Sequence, residues 1–254
     1  MKVQVLGCWA PYPRADQACS GYLLSVGGKN ILLDLGHGAF GKLIKVFDYL
    51  KLDAVFISHL HMDHCADLSC LRHALLGSRR LGKIDENWRL LLLMPTEPQR
   101  NFEIFRDYDD VFEIIPMDSF KKGQNIINTS GVDIDVFPVN HPIPTYGIRV
   151  VEKETGKKFV YSSDTAYMEK LIDFAKDADI FLCEVSLLEK DSQYMDKGHL
   201  TTGLAAKLAE KARVKMLVLT HFWPEYDLKK VAHEARKAFS GLLEMAEQFK
   251  IYSC

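Results

Sequence analysis

Apolar and polar positions alternate in short runs through the first third of the chain, which predicts strands at Val3–Leu6, Tyr22–Val26 and Ile31–Leu35. Gly27-Gly28-Lys29-Asn30 supplies a turn between the last two. Residues 40–50 change to helical spacing through Phe40, Leu43, Val46, Phe47 and Leu50. Ala54-Val55-Phe56-Ile57 is a continuous apolar run that fits a buried strand, and Leu68, Leu71 and Leu75 mark one face of a helix. Strands are predicted at Leu90–Met94 and Val111–Ile115, with a helix near 98–106. A strand-rich block follows at Val132–Val139, Gly147–Val151 and Phe159–Ser162. The last third alternates Ile180–Glu184, a helix at 201–213, Met216–Thr220, a helix at 227–240 and a strand near Phe249–Tyr252. Such a mixture predicts sheets covered by helices.

Polar residues stand repeatedly just past these apolar runs. His59 follows Val55–Ile57, His141 follows Val132–Val139, Asp164 follows Phe159–Ser162, and His221 follows Met216–Thr220. Strand ends gathered on one edge would bring the four together. Three of the nine histidines fall in the run His59-Leu60-His61-Met62-Asp63-His64. In an extended segment positions i and i+2 share a side, so His59 and His61 can grip one cation. Asp63 and His64, at the following turn, can face a second. Imidazole nitrogen with carboxylate oxygen suits zinc, with manganese or iron as alternatives.

Ser58-His59-Leu60-His61-Met62-Asp63-His64 resembles the signature of the metallo-β-lactamase superfamily. The rest of that pattern occurs in order: His141, Asp164 within Tyr161-Ser162-Ser163-Asp164-Thr165, and His221 within Leu219-Thr220-His221-Phe222. The resemblance covers nearly the whole chain and implies an α/β (α+β) fold, a four-layer αββα sandwich. It assigns His59, His61 and His141 to one metal, Asp63, His64 and His221 to a second, and Asp164 to a bridge between them. Lys197-Gly198-His199-Leu200-Thr201, the Ala-rich helix after it, Leu219–Pro224, Gly7, Pro11 and Leu33-Asp34-Leu35-Gly36 are similar to the phosphodiesterase branch that contains ribonuclease Z. In that branch a histidine matching His199 assists catalysis and pairs with a glutamate matching Glu184. The family's chemistry thus makes Asp63, His199 and Glu184 the catalytic candidates. The bridging aspartate counts against true β-lactamases, and histidine rather than glutamate at position 61 counts against the flavodiiron oxygen reductases.

Ribonuclease Z enzymes that grip precursor tRNA carry an inserted arm, commonly between the residues matching His141 and Asp164. Here residues 142–163 leave room for two strands and a turn. The bacterial cyclic-nucleotide phosphodiesterases share the core, and Asp63-His64-Cys65-Ala66-Asp67-Leu68 resembles their version of the motif. The resulting expectation is a phosphodiesterase for small or short nucleotide substrates. Its rivals are a tRNA 3′-processing endonuclease, a thioester or lactone hydrolase of the glyoxalase II kind, and a nucleotide sensor without turnover. A homodimer is implied by the resemblance.

Composition adds limits. The 254 residues are 48% hydrophobic and 26% charged, without a linker or low-complexity tract, which predicts one domain over 1–254. A net charge of −2 lacks the basic excess of proteins that hold long nucleic acids. Lys207, Lys211 and Lys215 read as a solvated helix face. The six cysteines show no CxxC pairing and read as free, mostly buried thiols. An N-terminus that begins like a strand, without a signal-peptide core or an apolar stretch of membrane-spanning length, predicts a cytoplasmic protein. His73 and His233 are expected on helices away from the site. His37 and Asp67 are each balanced between a structural role and support of a ligand. Tyr146 and Trp223 flank ligand positions and could stack on a base, although core packing is the favoured expectation.

Overall fold

The computed structural model describes residues 1–120 and 131–254. Among these, two sheets carry the fold. The first contains β1 (Lys2–Gly7), β2 (Gly21–Val26), β3 (Lys29–Leu35), β4 (Ala54–Phe56), β5 (Leu90–Met94), β6 (Phe112–Pro116) and β13 (Ile251–Ser253), in the order β13-β1-β2-β3-β4-β5-β6. The second contains β7 (Val132–Pro138), β8 (Tyr146–Glu152), β9 (Lys158–Tyr161), β10 (Ile180–Glu184), β11 (Met216–Thr220) and β12 (Leu242–Met245), in the order β12-β11-β10-β9-β8-β7. Each sheet joins an antiparallel part to a parallel part: β3 through β6 run parallel in one, β9 through β12 in the other.

The central strands, such as β4, β10 and β11, are apolar on both faces because both faces are covered. Tyr22, Leu24 and Val26 of β2 face the core between the sheets, with Ile148, Phe159 and Leu182 of the second sheet. Leu23 points the other way, onto a second core shared with the helices α1 (Ala39–Val46) and α3 (Leu68–Arg80). Leu43, Leu68, Leu71 and Leu75 form the helical side of that core. On the far side of the second sheet lie α5 (Lys170–Ala175), α6 (Thr202–Ala212) and α7 (Leu228–Arg236). Ala205, Ala206, Leu208, Ala209 and Ala212 of α6 are buried, and these mostly small side chains admit close packing, while Lys207 and Lys211 face solvent, as does Lys215 beyond the helix. Helix, sheet, sheet, helix is the four-layer αββα sandwich.

Several expected elements take a different form. The helix expected over 40–50 stops at Val46, because Phe47 is extended (φ −150°, ψ 145°), and Asp48 then caps a 3-10 turn at Tyr49–Lys51 through the Leu50 N–H. The helix expected near 98–106 is one turn, α4 (Gln99–Phe102), followed by a 3-10 turn at Arg106–Asp110. Residues 228–236, rather than 227–240, are helical, with the Asp227 carboxylate capping the Lys229 N–H. Strand β12, helix α5 and the 3-10 segment Glu189–Lys197 have no counterpart in the sequence reading. The six cysteines are free; Cys8, Cys19, Cys65 and Cys183 are buried and Cys70 is exposed. No described helix is long and apolar enough to cross a membrane. Residues 142–163 are taken up by β8, β9 and their connection.

Candidate metal centre and active site

The C-terminal ends of the parallel strands meet at one edge of the sandwich. β4 delivers His59 and His61, and the short helix α2 (Met62–Cys65) then carries Asp63 and His64. The loop after β7 carries His141, the end of β9 leads to Asp164, β10 ends on Glu184, and β11 leads to His221. Gly36 makes this crowding possible: a Cβ there would lie 1.8 Å from the Asp63 carbonyl oxygen.

Two donor sets result. His59 Nε2 lies 3.1 Å from His61 Nδ1, which lies 3.2 Å from His141 Nε2. His64 Nε2 lies 3.0 Å from His221 Nε2, and Asp63 Oδ2 is 3.7 Å and 3.5 Å from those two nitrogens. Asp164 stands between the sets, with Oδ2 3.6 Å from His59 Nε2 and Oδ1 3.4 Å from His64 Nε2 and 3.1 Å from His221 Nε2. Its Oδ1 is buried without a hydrogen-bond partner. Such an orphaned atom is costly unless something else coordinates it. Converging nitrogens and a bare carboxylate oxygen fit divalent cations, and each three-residue set has its donor atoms within 4.8 Å of one another.

The opposite nitrogens of these imidazoles are held from behind. His64 Nδ1 lies 2.8 Å from Asp34 Oδ2, His221 Nδ1 2.7 Å from Ser186 Oγ, His141 Nδ1 3.0 Å from the Gly198 carbonyl, and His59 Nδ1 3.0 Å from Ser58 Oγ. A proton on each Nδ1 leaves Nε2 with a lone pair for a cation. Gly198 has φ +86°, and a Cβ there would meet His141 Nδ1 at 2.7 Å, so glycine is required where the carbonyl presents itself. Asp34, Ser163 and His221 have φ of 54°, 54° and 62°, left-handed conformations gathered at the strand ends around the site.

Asp34 and Ser186 are the supporting residues that the sequence reading leaves without a role. Asp34 is fully buried; Oδ1 accepts the Ser58 N–H at 2.7 Å, and Oδ2 accepts the Ser58 hydroxyl at 2.9 Å and the Tyr161 hydroxyl at 2.7 Å. Ser186 Oγ donates to Glu184 Oε2 at 3.0 Å. A buried, multiply bonded carboxylate is visible only once the chain is folded.

Glu184 is 0% exposed. It accepts from the backbone N–H groups of Thr165, Ser186 and Leu200 and pairs through Oε1 with His199 Nδ1 at 3.2 Å. His199, in the loop between β10 and α6, stands beside the two donor sets, its Nδ1 4.0 Å from Asp164 Oδ2. Burial pushes the His199 pKa down, but Glu184 and Asp164 outweigh it and hold the imidazolium above its ordinary range. Burial likewise opposes the charge on His221, yet Asp164 and Asp63 raise it to about 10. His59 and His61 are pushed low by burial.

The remaining candidates separate cleanly. His37 is exposed in a turn, and His73 and His233 are exposed on α3 and α7. Asp67 Oδ2 accepts the Phe40 N–H at the start of α1, a tie between helices. Tyr146 donates to Asp118 and is absent from the cavity wall. Trp223 departs from the favoured expectation of core packing: it is 40% exposed and lines an approximately 850 Å³ cavity floored by His61, Asp63, Asp164, His199 and His221. Phe222 beside it turns into the core against Trp9, and Trp223 is left at the mouth.

Residues 29–222 match the beta-lactamase superfamily domain. The probable metallo-hydrolase YhfI of Bacillus subtilis is 29% identical, with 97% of each chain covered. Its crystal structure aligns at a TM-score of 0.89 and 28% identity, covering 99% of this chain and 98% of that one. A ribonuclease Z of Ignicoccus hospitalis is 28% identical over 92% of both chains. The short form of human tRNase Z has a TM-score of 0.75 at 23% identity, covering 100% of this chain and 99% of that one, a likeness of fold.

Proposed function

Because the chain belongs to the beta-lactamase superfamily, a family of metal-dependent hydrolases, we propose that it is a two-metal phosphodiesterase acting on small or short nucleotide substrates. The observation that carries this reading is the junction of two donor triads at an orphaned Asp164 oxygen, beside a histidine whose charged form a buried glutamate favours. His59, His61 and His141 would hold one divalent cation, Asp63, His64 and His221 the other, with Asp164 shared; the donor set suits zinc, and also manganese or iron. When bound, such a pair lowers the pKa of water from about 15.7 toward about 7 and neutralises phosphoryl charge.

The chain's own groups supply the rest. Asp63, on the cavity floor, orients the attacking nucleophile and accepts its proton. His199 is engaged through Nδ1 by Glu184, so its Nε2 edge is the one available to donate a proton to the leaving oxygen. Such general-acid catalysis contributes typically about 10²- to 10⁴-fold. Glu184 acts through His199 as a positioning residue. A protonated imidazole at a leaving oxygen suits phosphodiester cleavage, which expels an alkoxide.

A second reading, 3′ processing of precursor tRNA, is favoured by the ribonuclease Z relative. Against it stand the 142–163 connection, used up by β8 and β9, and the net charge of −2, which offers little counterion release to a polyanion. The test is one substrate panel: cyclic mononucleotides, dinucleotides, bis-p-nitrophenyl phosphate, precursor tRNA, a thioester and a lactone. The proposal expects higher kcat/KM on cyclic mononucleotides or dinucleotides than on tRNA, with weak salt dependence. Faster cleavage of precursor tRNA at its 3′ side, or turnover confined to thioester or lactone, overturns it.

A further inference from the structure

The cavity has two chemically different halves. Its floor is the metal-facing set, but its outer wall is built from Trp223, Tyr226, Tyr194, Lys190 and Lys197. Trp223 is 40% and Tyr194 52% exposed, unusual for large aromatic side chains that line a concave site. Trp223 is also held in place. Tyr12 packs edge-on against it (centroids 6.2 Å apart, 73° between planes), and the Tyr12 hydroxyl is anchored on Glu225. Arg14 donates to the carbonyls of Pro224 (2.7 Å) and Tyr226 (2.8 Å), which pins the loop that carries the ring. The opposite wall, the 3-10 segment Glu189–Lys197, is pinned as well. Glu189 accepts the Gly203 N–H at the start of α6, its own N–H donates to Glu234, and Asp191 accepts the Tyr226 hydroxyl across the two walls.

Resting on the phosphodiesterase reading, we infer that this outer half is a nucleobase site in which Trp223 provides the stacking face and Tyr194 encloses the base from the opposite wall. Trp223 follows His221 by two residues, so its Cα lies at most about 7 Å from that of His221. The reach from the reacting phosphorus to a base across one ribose is of that order. A rigid ring with an open face loses little entropy on stacking, and base stacking tolerates any base because each has a π-face. Lys190 and Lys197 place positive charge around an anionic ligand. Among the described residues no Asn or Gln lines the wall, and the Asp191 carboxylate is engaged by Tyr226. The wall therefore lacks neutral amides to read a base edge, and selection among bases follows stacking area, purine above pyrimidine.

The test compares one sugar–phosphodiester carrying a purine, a pyrimidine or no base, with Trp223→Ala, Trp223→Phe and Tyr194→Ala in the full metal-loaded chain. Trp223→Ala is expected to lower the ratio of kcat/KM on purine to base-free diester by at least about five-fold, the low end for loss of one stacked base. Trp223→Phe is expected to keep most of that ratio. A readout apart from turnover is tryptophan fluorescence: the chain has three tryptophans, and AMP, but not ribose 5-phosphate, is expected to quench the Trp223 contribution, a response lost in Trp223→Phe. An unchanged ratio in Trp223→Ala, or equal quenching by AMP in wild type and Trp223→Phe, overturns the base site. Absence of diester turnover with quenching intact overturns the phosphodiesterase reading and leaves the base site standing; absence of both overturns both.

Discussion

Asp34 offers the sharpest test of how the proposed metal centre is held, because it touches no cation in the proposed scheme. Its carboxylate accepts from the Ser58 N–H, the Ser58 hydroxyl, the Tyr161 hydroxyl and His64 Nδ1, all buried. Truncation to alanine strands these donors at about 1–3 kcal/mol each. Their sum is comparable to the whole stability of a typical protein, about 5–15 kcal/mol, so Asp34→Ala is expected to fail at folding. Asp34→Asn is the informative change, since asparagine tolerates the φ of 54° found there. One amide oxygen still accepts the Ser58 N–H, and the two hydrogens of the new NH₂ can serve His64 Nδ1 and one of the Ser58 and Tyr161 hydroxyls, the other hydroxyl losing its acceptor. His64 Nδ1 cannot donate to an NH₂ group. It must become an acceptor, which moves its proton to Nε2, the nitrogen 3.0 Å from His221 Nε2. The lone pair offered to the second cation is thereby lost. Changes in such supporting partners weaken metal binding typically by about 10–100-fold. Titration against a metal-buffering chelator is expected to show one of two cations weakened by that factor and the other near its wild-type affinity. Two wild-type affinities in a folded Asp34→Asn protein would refute the tautomer argument.

Other outcomes follow from the same geometry. Protein purified without chelator is expected to carry close to two cations per chain by elemental analysis; Asp164→Ala loses metal and activity together, whereas His199→Ala keeps both cations and lowers kcat by about 10²–10⁴-fold. Equal metal loss in both variants would remove His199 from its catalytic role. Glu184→Gln keeps the side chain's shape but removes the carboxylate that chiefly raises the His199 pKa, so the alkaline fall of kcat is expected at lower pH than in wild type; an unmoved limb counts against the pair. In chelated protein the folded-state pKa of His221, raised to about 10, lies above an unfolded value of about 6.5. The stabilisation from that proton is complete below about pH 6.5 and lost as pH rises through about 10. A cation must displace the same proton, so metal affinity is expected to climb over that window, with proton release measurable by an indicator in weakly buffered solution.

Local order supplies much of what the sequence determines about this protein. Alternation in Tyr22–Val26 and Ile31–Leu35 and the apolar run Ala54–Ile57 specify strands because side-chain direction repeats every two residues, whatever the strand packs against. The meeting of Asp164 and His221 is legible for a related reason: each follows a strand, and parallel strands in one sheet end on the same side, whereas His59 comes from the other sheet and joins them only through the packing of the two sheets. Only the tertiary structure decides what stands behind and around those residues. Asp34 looks like an ordinary acidic residue at a strand end, and Glu184 stands out only through the family resemblance; their buried oxygens are filled by donors such as Tyr161, 127 residues from Asp34, and His199 and Leu200, 15 and 16 residues from Glu184. Trp223 has the hydrophobicity of a core residue, yet Phe222 takes the core position, and the Arg14 bonds to the Pro224 and Tyr226 carbonyls hold Trp223 at the cavity mouth. The helix expected near 98–106 shortens because apolar spacing shows where a helix could pack, while the backbone of 106–110 tightens into a 3-10 turn against β6. Periodicity is a property of neighbours along the chain; burial, proton placement and an open aromatic face belong to neighbours in space.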